Sequence, residues 1–162
     1  MSRQFLSINK VDRDSAIYLA GLIDGEGCFF VSSYIKNKGP YASRCYTPEF
    51  KISMTNEDTI AWVAEKLGVK YSHVLANPGK NHKDTYEIRM GSTQNIIELI
   101  PQILPFMITK KETAQVMLDF CSSRLINRKK FSYNKASYSP TEIGYFHKIK
   151  ELNSVGIGGY LN

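Results

Sequence analysis

Apolar positions along the chain change their spacing several times, and each change marks an element. Ile17, Leu19, Leu22 and Ile23 recur at helical spacing and predict a short helix from about Ser15 to Asp24. Such a helix is only about 15 Å long and marginal in isolation, so it must be packed against the rest of the chain. After Gly27 the period shortens: Phe29, Val31 and Ile35 alternate with Cys28, Ser32, Tyr34 and Lys36, a strand whose pattern only Phe30 spoils. Lys36 to Ser43 reads as a turn with basic residues at its tip. A second strand follows from about Tyr46 to Met54, with Phe50 and Ile52 on one side and Thr47, Glu49, Lys51 and Ser53 on the other. Pro48 predicts a bend or an edge there.

A helix opening at Asn56 or Asp58 runs to Leu67, with Gly68 as its stop. A second hairpin comprises Tyr71 to Asn77, a turn over 78–83, and Thr85 to Met90. Its apolar side is Tyr86, Ile88 and Met90; its polar side is Thr85, Glu87 and Arg89. Ser92 begins a helix to about Leu104 that Pro101 should interrupt. Thr109 and Glu112 have capping-box spacing and open a helix to about Arg124. Ser139 and Glu142 repeat that spacing with Pro140 at the first helical position, and this last helix reaches about Leu152.

This order, helix, two strands, helix, two strands, then helices, predicts an α+β layer: an antiparallel four-stranded sheet with helices on one face. At 162 residues the chain fits one domain. Its core is expected over about 15–128, with a C-terminal helix and tail over 139–162 whose glycines, from Ser154 on, read as loosely held. The open sheet face is polar, aromatic and basic, and a twisted β-ribbon of that kind suits the DNA major groove.

Composition adjusts this picture modestly. Lys and Arg outnumber Asp and Glu by 21 to 15, a net charge of +6 that favours nucleic acid as partner. Cys28, Cys45 and Cys121 are widely spaced and odd in number, which indicates neither zinc nor a disulfide framework and suggests a reducing interior. The first ten residues have no apolar signal core and no run approaches a membrane span, so the expectation is a soluble intracellular protein with no membrane partner.

The end of the first helix carries unusual chemistry. Asp24 and Glu26 sit among glycines at a helix C-terminus, where unpaired carbonyls already place partial negative charge and a basic residue would be expected. A bound cation would remove the conflict, and carbonyl oxygens with a carboxylate are the hard ligands that Mg²⁺ or Ca²⁺ prefers. Gly21 and Gly25 lie four apart on one helix face, which lets another backbone approach closely. A plain alternative is a core helix with a glycine stop and two solvated acids.

Leu19 to Gly27 reads LAGLIDGEG and resembles the signature of the LAGLIDADG homing endonucleases, departing from it only at Gly25 and Glu26. The resemblance implies an αββαββα core from Ser15 to about Arg124. It also implies signature helices packed across a two-fold axis, and a metal-binding acid at the eighth position, here Glu26, beside each scissile phosphate. The motif occurs once, so the expected assembly is a homodimer with Leu19, Gly21, Leu22 and Gly25 at its interface. Two Glu26 carboxylates near one axis resist joint ionisation unless cations separate them. Mg²⁺ is therefore the expected cofactor, Ca²⁺ its non-cleaving substitute, and the Gly25 carbonyl a second ligand; Asp24 reads as a helix-end or structural acid.

Pro105 to Lys111 is similar to the family segment that carries an active-site lysine, which makes Lys110 the second catalytic candidate. Alignment on Phe50 and Ile52 puts Met54 where many members carry a polar, solvent-positioning residue, so Asn56 or Ser53 must substitute or the site is weakened. Strand parity nominates Ser32, Tyr34, Lys36, Lys38, Arg44, Thr47, Glu49 and Lys51 on the first hairpin as DNA contacts. On the second it nominates Tyr71, His73, Asn77, Lys80, Lys83, Glu87 and Arg89, and a one-residue slip of register would invert these choices. Arg128, Lys129 and Lys130 form a basic run that either holds phosphate or is a solvated loop. The implied function is site-specific, Mg²⁺-dependent double-strand cleavage of a long, near-palindromic DNA site across the minor groove, leaving short 3′ overhangs. The alternatives are a cleavage-deficient DNA-binding protein and an intron RNA maturase of the same fold.

Overall fold

A computed structural model describes residues 7–79, 82–130 and 137–154. The elements are α1 (Arg13–Glu26), β1 (Gly27–Lys36), β2 (Ser43–Met54), α2 (Glu57–Leu67), β3 (Ser72–Val74), β4 (Thr85–Met90), α3 (Thr93–Ile103), α4 (Lys111–Lys130) and α5 (Pro140–Ser154). The four strands form one antiparallel sheet in the order β1-β2-β4-β3. This is the α+β architecture that the apolar periodicity predicts.

Register decides which residues face the helices. Phe29 pairs with Phe50, and Ile52 with Ile88. These four side chains are almost fully buried beneath Leu19, Ile23, Ile60, Leu67, Ile96, Leu99, Ile100 and Phe120 from the helices. At the far end of β2, Tyr46 lies on the same face and packs against Tyr138 and Phe146 of α5 and its lead-in, with ring centroids 4.9 and 4.8 Å away. Asn153 near the end of α5 donates to Phe29 O at 2.8 Å and so ties α5 to the β1 edge. Among the described residues, no helix is long and apolar enough to cross a membrane.

Local signals place most boundaries. Asn56 caps α2, and Gly68 ends it in the left-handed region at φ 68°, a conformation that costs glycine little. Ser139 and Glu142 form a reciprocal capping box at α5: Ser139 N donates to Glu142 Oε2 at 2.6 Å, and Glu142 N donates to Ser139 Oγ at 3.2 Å. β4 pairs with β2 only from Phe50 to Met54, which leaves Pro48 on a half of β2 with one neighbour, as its missing N–H requires.

Three expectations are corrected. Pro101 does not interrupt α3, which runs through it to Ile103; Leu99, Ile100 and Ile103 are buried around it, and their packing outweighs the one lost backbone bond. α4 starts at Lys111 rather than at a Thr109 capping box. It also extends past Arg124 to Lys130, where Asn127 donates to Glu142 Oε2 at 3.0 Å and Arg124 stacks on Tyr138 at 3.9 Å. Those partners belong to α5 and the segment before it, so the helix end is a tertiary feature. The loosely held tail lies outside the described residues beyond Ser154.

Phe120 is fully buried where α4 meets the sheet layer. Phe120→Ala is expected to lower stability by about 3–5 kcal/mol in urea unfolding.

Candidate active site

The end of α1 is built by two exchanges with the segment that leads into α4. α1 stops because the chain turns sharply into β1 at Gly27, where a Cβ would lie 2.8 Å from both Cγ2 and O of Ile23. Asp24 then accepts three backbone N–H groups: Ile108 at 2.6 Å and Thr109 at 3.2 Å on Oδ2, and Lys110 at 2.9 Å on Oδ1. In return the Lys110 ammonium donates to Gly27 O at 2.6 Å and to Ile23 O and Gly25 O, each at 3.3 Å. A helix C-terminus has spare carbonyls and partial negative charge; the approach to an N-terminus has spare N–H groups and partial positive charge. Asp24 and Lys110 each sit at the wrong end of their own helix and the right end of the other. The basic residue missing from the last turn of α1 is therefore supplied from the start of α4.

Glu26 takes no part in this exchange. It is exposed at the tip of α1 and makes no hydrogen bond or ion pair with any described residue. Its carboxylate and the neighbouring Gly25 carbonyl are hard oxygen donors, a set that fits Mg²⁺ or Ca²⁺. No group of three or more His, Cys, Asp or Glu that could hold a metal ion gathers among the described residues.

Cys28 follows directly, exposed on the open face of the sheet and paired with Lys51. Desolvation raises its thiol above the ordinary value, opposed by the charges of Lys110 and Lys51. Lys51 thus stands beside the α1 end, with its ammonium 2.6 Å from Glu87. Met54 does not lie on this face: it pairs with Tyr86 on the helix-side face and packs against the core. Asn56 is likewise committed elsewhere, its Oδ1 accepting from Thr59 N and Thr59 Oγ1 at 2.8 Å each. Met54 is placed by strand parity and Asn56 by its role as the α2 N-cap, while the same parity puts Lys51 on the open face opposite Cys28.

The open face carries Ser32, Tyr34, Lys36, Thr47, Glu49, Lys51, Glu87 and Arg89 by register. Its acids are matched to cations. Glu49, nearly buried, accepts from Ser32 Oγ at 2.6 Å and pairs with Arg89, which lies over the Phe30 ring. Lys38, Asn77 and Lys83 belong to the hairpin loops, and Lys80 lies outside the described residues. Arg128, at the end of α4, lines a groove of about 780 Å³ with Tyr34, Lys36 and Thr47 where β4 stops.

Three nominated contacts lie on the opposite face. Arg44 pairs with Ile35 and bonds Ser33 Oγ at 3.3 Å. His73 pairs with Tyr86 and stacks on it at 4.8 Å, and Tyr71 donates to Glu57 of α2 at 2.8 Å. Short β3 takes its register from His73–Asp84 and Ala76–Asp84 bonds that no alternation announces. Leu19 is also corrected: it is fully buried in the core, whereas Ile17 and Tyr18 are 41% and 54% exposed. The uncovered strip of α1 is Ile17, Tyr18, Gly21 and Gly25, with Leu22 half-buried beside it. Trp62 of α2 extends this strip, edge-on to Tyr18 at 4.9 Å; nothing in the sequence signals its place there.

A family model for the LAGLIDADG endonucleases matches residues 19–123, from the signature on α1 into α4. The chain belongs to the LAGLIDADG endonuclease family. No curated protein matches it by sequence. Among solved structures, this LAGLIDADG chain is similar to the archaeal intron-encoded homing endonuclease I-Vdi141I complexed with DNA, at 20% identity and a TM-score of 0.66, covering 87% of this chain and 86% of that one. It is similar to I-CvuI in complex with its target in the presence of Ca, at 18% identity and a TM-score of 0.59, covering 86% and 82%. It also matches I-GzeII in complex with its DNA target, at 15% identity and a TM-score of 0.58, covering 90% of this chain and 44% of that longer one.

In this LAGLIDADG scaffold the sixth signature residue, Asp24, is the clamp and the eighth, Glu26, is the open acid. Asp24→Ala is expected to cost about 3 kcal/mol, since it orphans three N–H groups that meet a charged acceptor. Asn56→Ala should cost only about 1 kcal/mol, the usual value of an N-cap, and both are read in urea melts.

Proposed function

We propose that the chain is a homodimeric, site-specific DNA endonuclease that hydrolyses both strands of a long, near-palindromic site with Mg²⁺, Ca²⁺ being a non-cleaving substitute. The observation that carries this reading is the Glu26 carboxylate, which has no partner among the described residues and lies on the same helix as an uncovered glycine strip. A Cβ at Gly21 or Gly25 would meet nothing within 4 Å, so no contact among the described residues explains their small size. A second α1 crossing at the strip does, and it brings two Glu26 tips together. Coverage of only 44% of I-GzeII against 86% of I-Vdi141I supports a unit that works as one half of a site.

Each residue then has a distinct task. Glu26 and the Gly25 carbonyl hold the divalent ion, which supplies an activated water and offsets charge growing on the phosphate. Lys110 and Lys51 both act on Cys28 by their charge and add positive charge where an anionic backbone would lie. Lys36, Lys38 and Lys83 suit phosphate contacts, which give affinity and orientation. Ser32, Tyr34, Thr47 and the Glu49–Arg89 pair sit centrally on the open face, where base edges would be read. Arg89 pairs with Glu49 and Lys51 with Glu87, so neither carboxylate meets the duplex as bare negative charge.

The test uses DNA in which the sequences flanking the encoding reading frame are joined into one uninterrupted site. Linear product with Mg²⁺, and binding without scission in Ca²⁺ or chelator, is expected; tight binding without scission under any metal would instead indicate a regulator. Glu26→Gln should keep DNA binding and lose cleavage by about 100-fold or more. Gly21→Met should raise monomer helix stability by several tenths of a kcal/mol while shifting sedimentation from dimer toward monomer. Unchanged dimer in that variant would contradict the proposed interface.

A further inference from the structure

We propose that the Lys110 ammonium is a built-in counter-cation for the end of α1 that competes with the divalent ion at the Gly25 carbonyl and so sets how tightly the site takes metal. The inference rests on the reading of Glu26 as the metal carboxylate. Lys110 Nζ is anchored on Gly27 O at 2.6 Å, and its bonds to Ile23 O and Gly25 O are both longer, at 3.3 Å. The Gly25 contact is therefore one of the two weaker ones, and it can be released while the anchor holds. Gly25 O also belongs to the peptide unit that leads directly into Glu26.

A carbonyl has a second lone pair, so steric exclusion alone does not decide the matter. Charge does: an ammonium and a divalent ion sharing one oxygen stand only a few ångströms apart, a separation at which like charges repel even in a partly hydrated site. Asp24 does not move in to ligate the ion, because the N–H groups of Ile108, Thr109 and Lys110 hold its carboxylate in place. The same ammonium that keeps the helix end satisfied without metal thus weakens the site for metal. Lys110 is in this respect a positioning residue for the α1 carbonyls, separate from any contact it makes with phosphate.

The test is Ca²⁺ binding by isothermal titration on the full-length protein without DNA, comparing wild type with Lys110→Met, Lys110→Arg and Glu26→Gln. Lys110→Met is expected to melt several degrees lower in chelator yet bind Ca²⁺ about tenfold more tightly, with Ca²⁺ raising its melting temperature more than that of wild type. Lys110→Arg, which keeps the charge, should bind within about twofold of wild type, and Glu26→Gln should not bind. Equal or weaker Ca²⁺ binding by Lys110→Met, with Glu26→Gln still silent, would overturn the competition and leave the Glu26 assignment standing. Absence of binding in wild type as well would overturn both.

Should Lys110→Met fail to fold, amine acylation of wild type followed by mass spectrometry gives the same answer. Lys110 should label more slowly than the exposed Lys111 in chelator and faster once Ca²⁺ is added. A rate unchanged by Ca²⁺ would overturn the proposal.

Discussion

The exchange between Asp24 and Lys110 is the constraint on which the rest of the structure turns. Two helix ends with opposite deficits meet, and each supplies what the other lacks: Asp24 satisfies the N–H groups before α4, and Lys110 satisfies the carbonyls closing α1. Neither helix end would hold this geometry alone, since α1 ends in acids and α4 opens on lysines. Because the contacts are to backbone atoms, they fix where the chain goes and not merely which side chains touch. The direction of β1, the position of Gly25 and Gly27, and the projection of Glu26 into solvent all follow from that fixed end.

The same clamp separates two carboxylates that look alike in the sequence. Asp24 spends its oxygens on three donors and is structural; Glu26, two residues on, has none among the described residues and is available. A helix advances about 100° per residue, so neighbours two apart point to different sides, and Gly27 ends the helix just after the second acid. On the outer side of α1, Gly21 and Gly25 leave a bare backbone beside Ile17 and Tyr18. One short helix therefore carries a core face, a clamped acid, an open acid and an unclaimed packing face.

Where the sequence is legible, the signal is local. The capping box at Ser139 and Glu142, the Asn56 cap, the Gly68 stop and the alternation in β1 and β2 each settle within a few residues. So does the family motif, whose nine residues specify a backbone geometry more than a composition. What the sequence hides depends on contacts distant in the chain. α4 runs on because α5 holds its end, Pro101 is tolerated because its neighbours are buried, and Thr109 yields to an acid far upstream. β3 has three residues and no alternation to read, which is why parity puts Tyr71 and His73 on the wrong face. Aligning apolar positions without pairing misplaces Met54; once Cys28 is set against Lys51, the polar side chain of β2 nearest the end of α1 is evident.

The central claim is that two copies of α1 cross at the glycine strip and deliver two Glu26 carboxylates to divalent ions at one centre. The most direct measurement is a crystal structure of the protein with its DNA site and Ca²⁺. The account predicts Gly21 and Gly25 of the two copies in contact and each Glu26 about 2.3–2.6 Å from a bound ion beside a phosphate. Glu26 side chains far apart in solvent, with ions held elsewhere or the α1 helices not in contact, would contradict it.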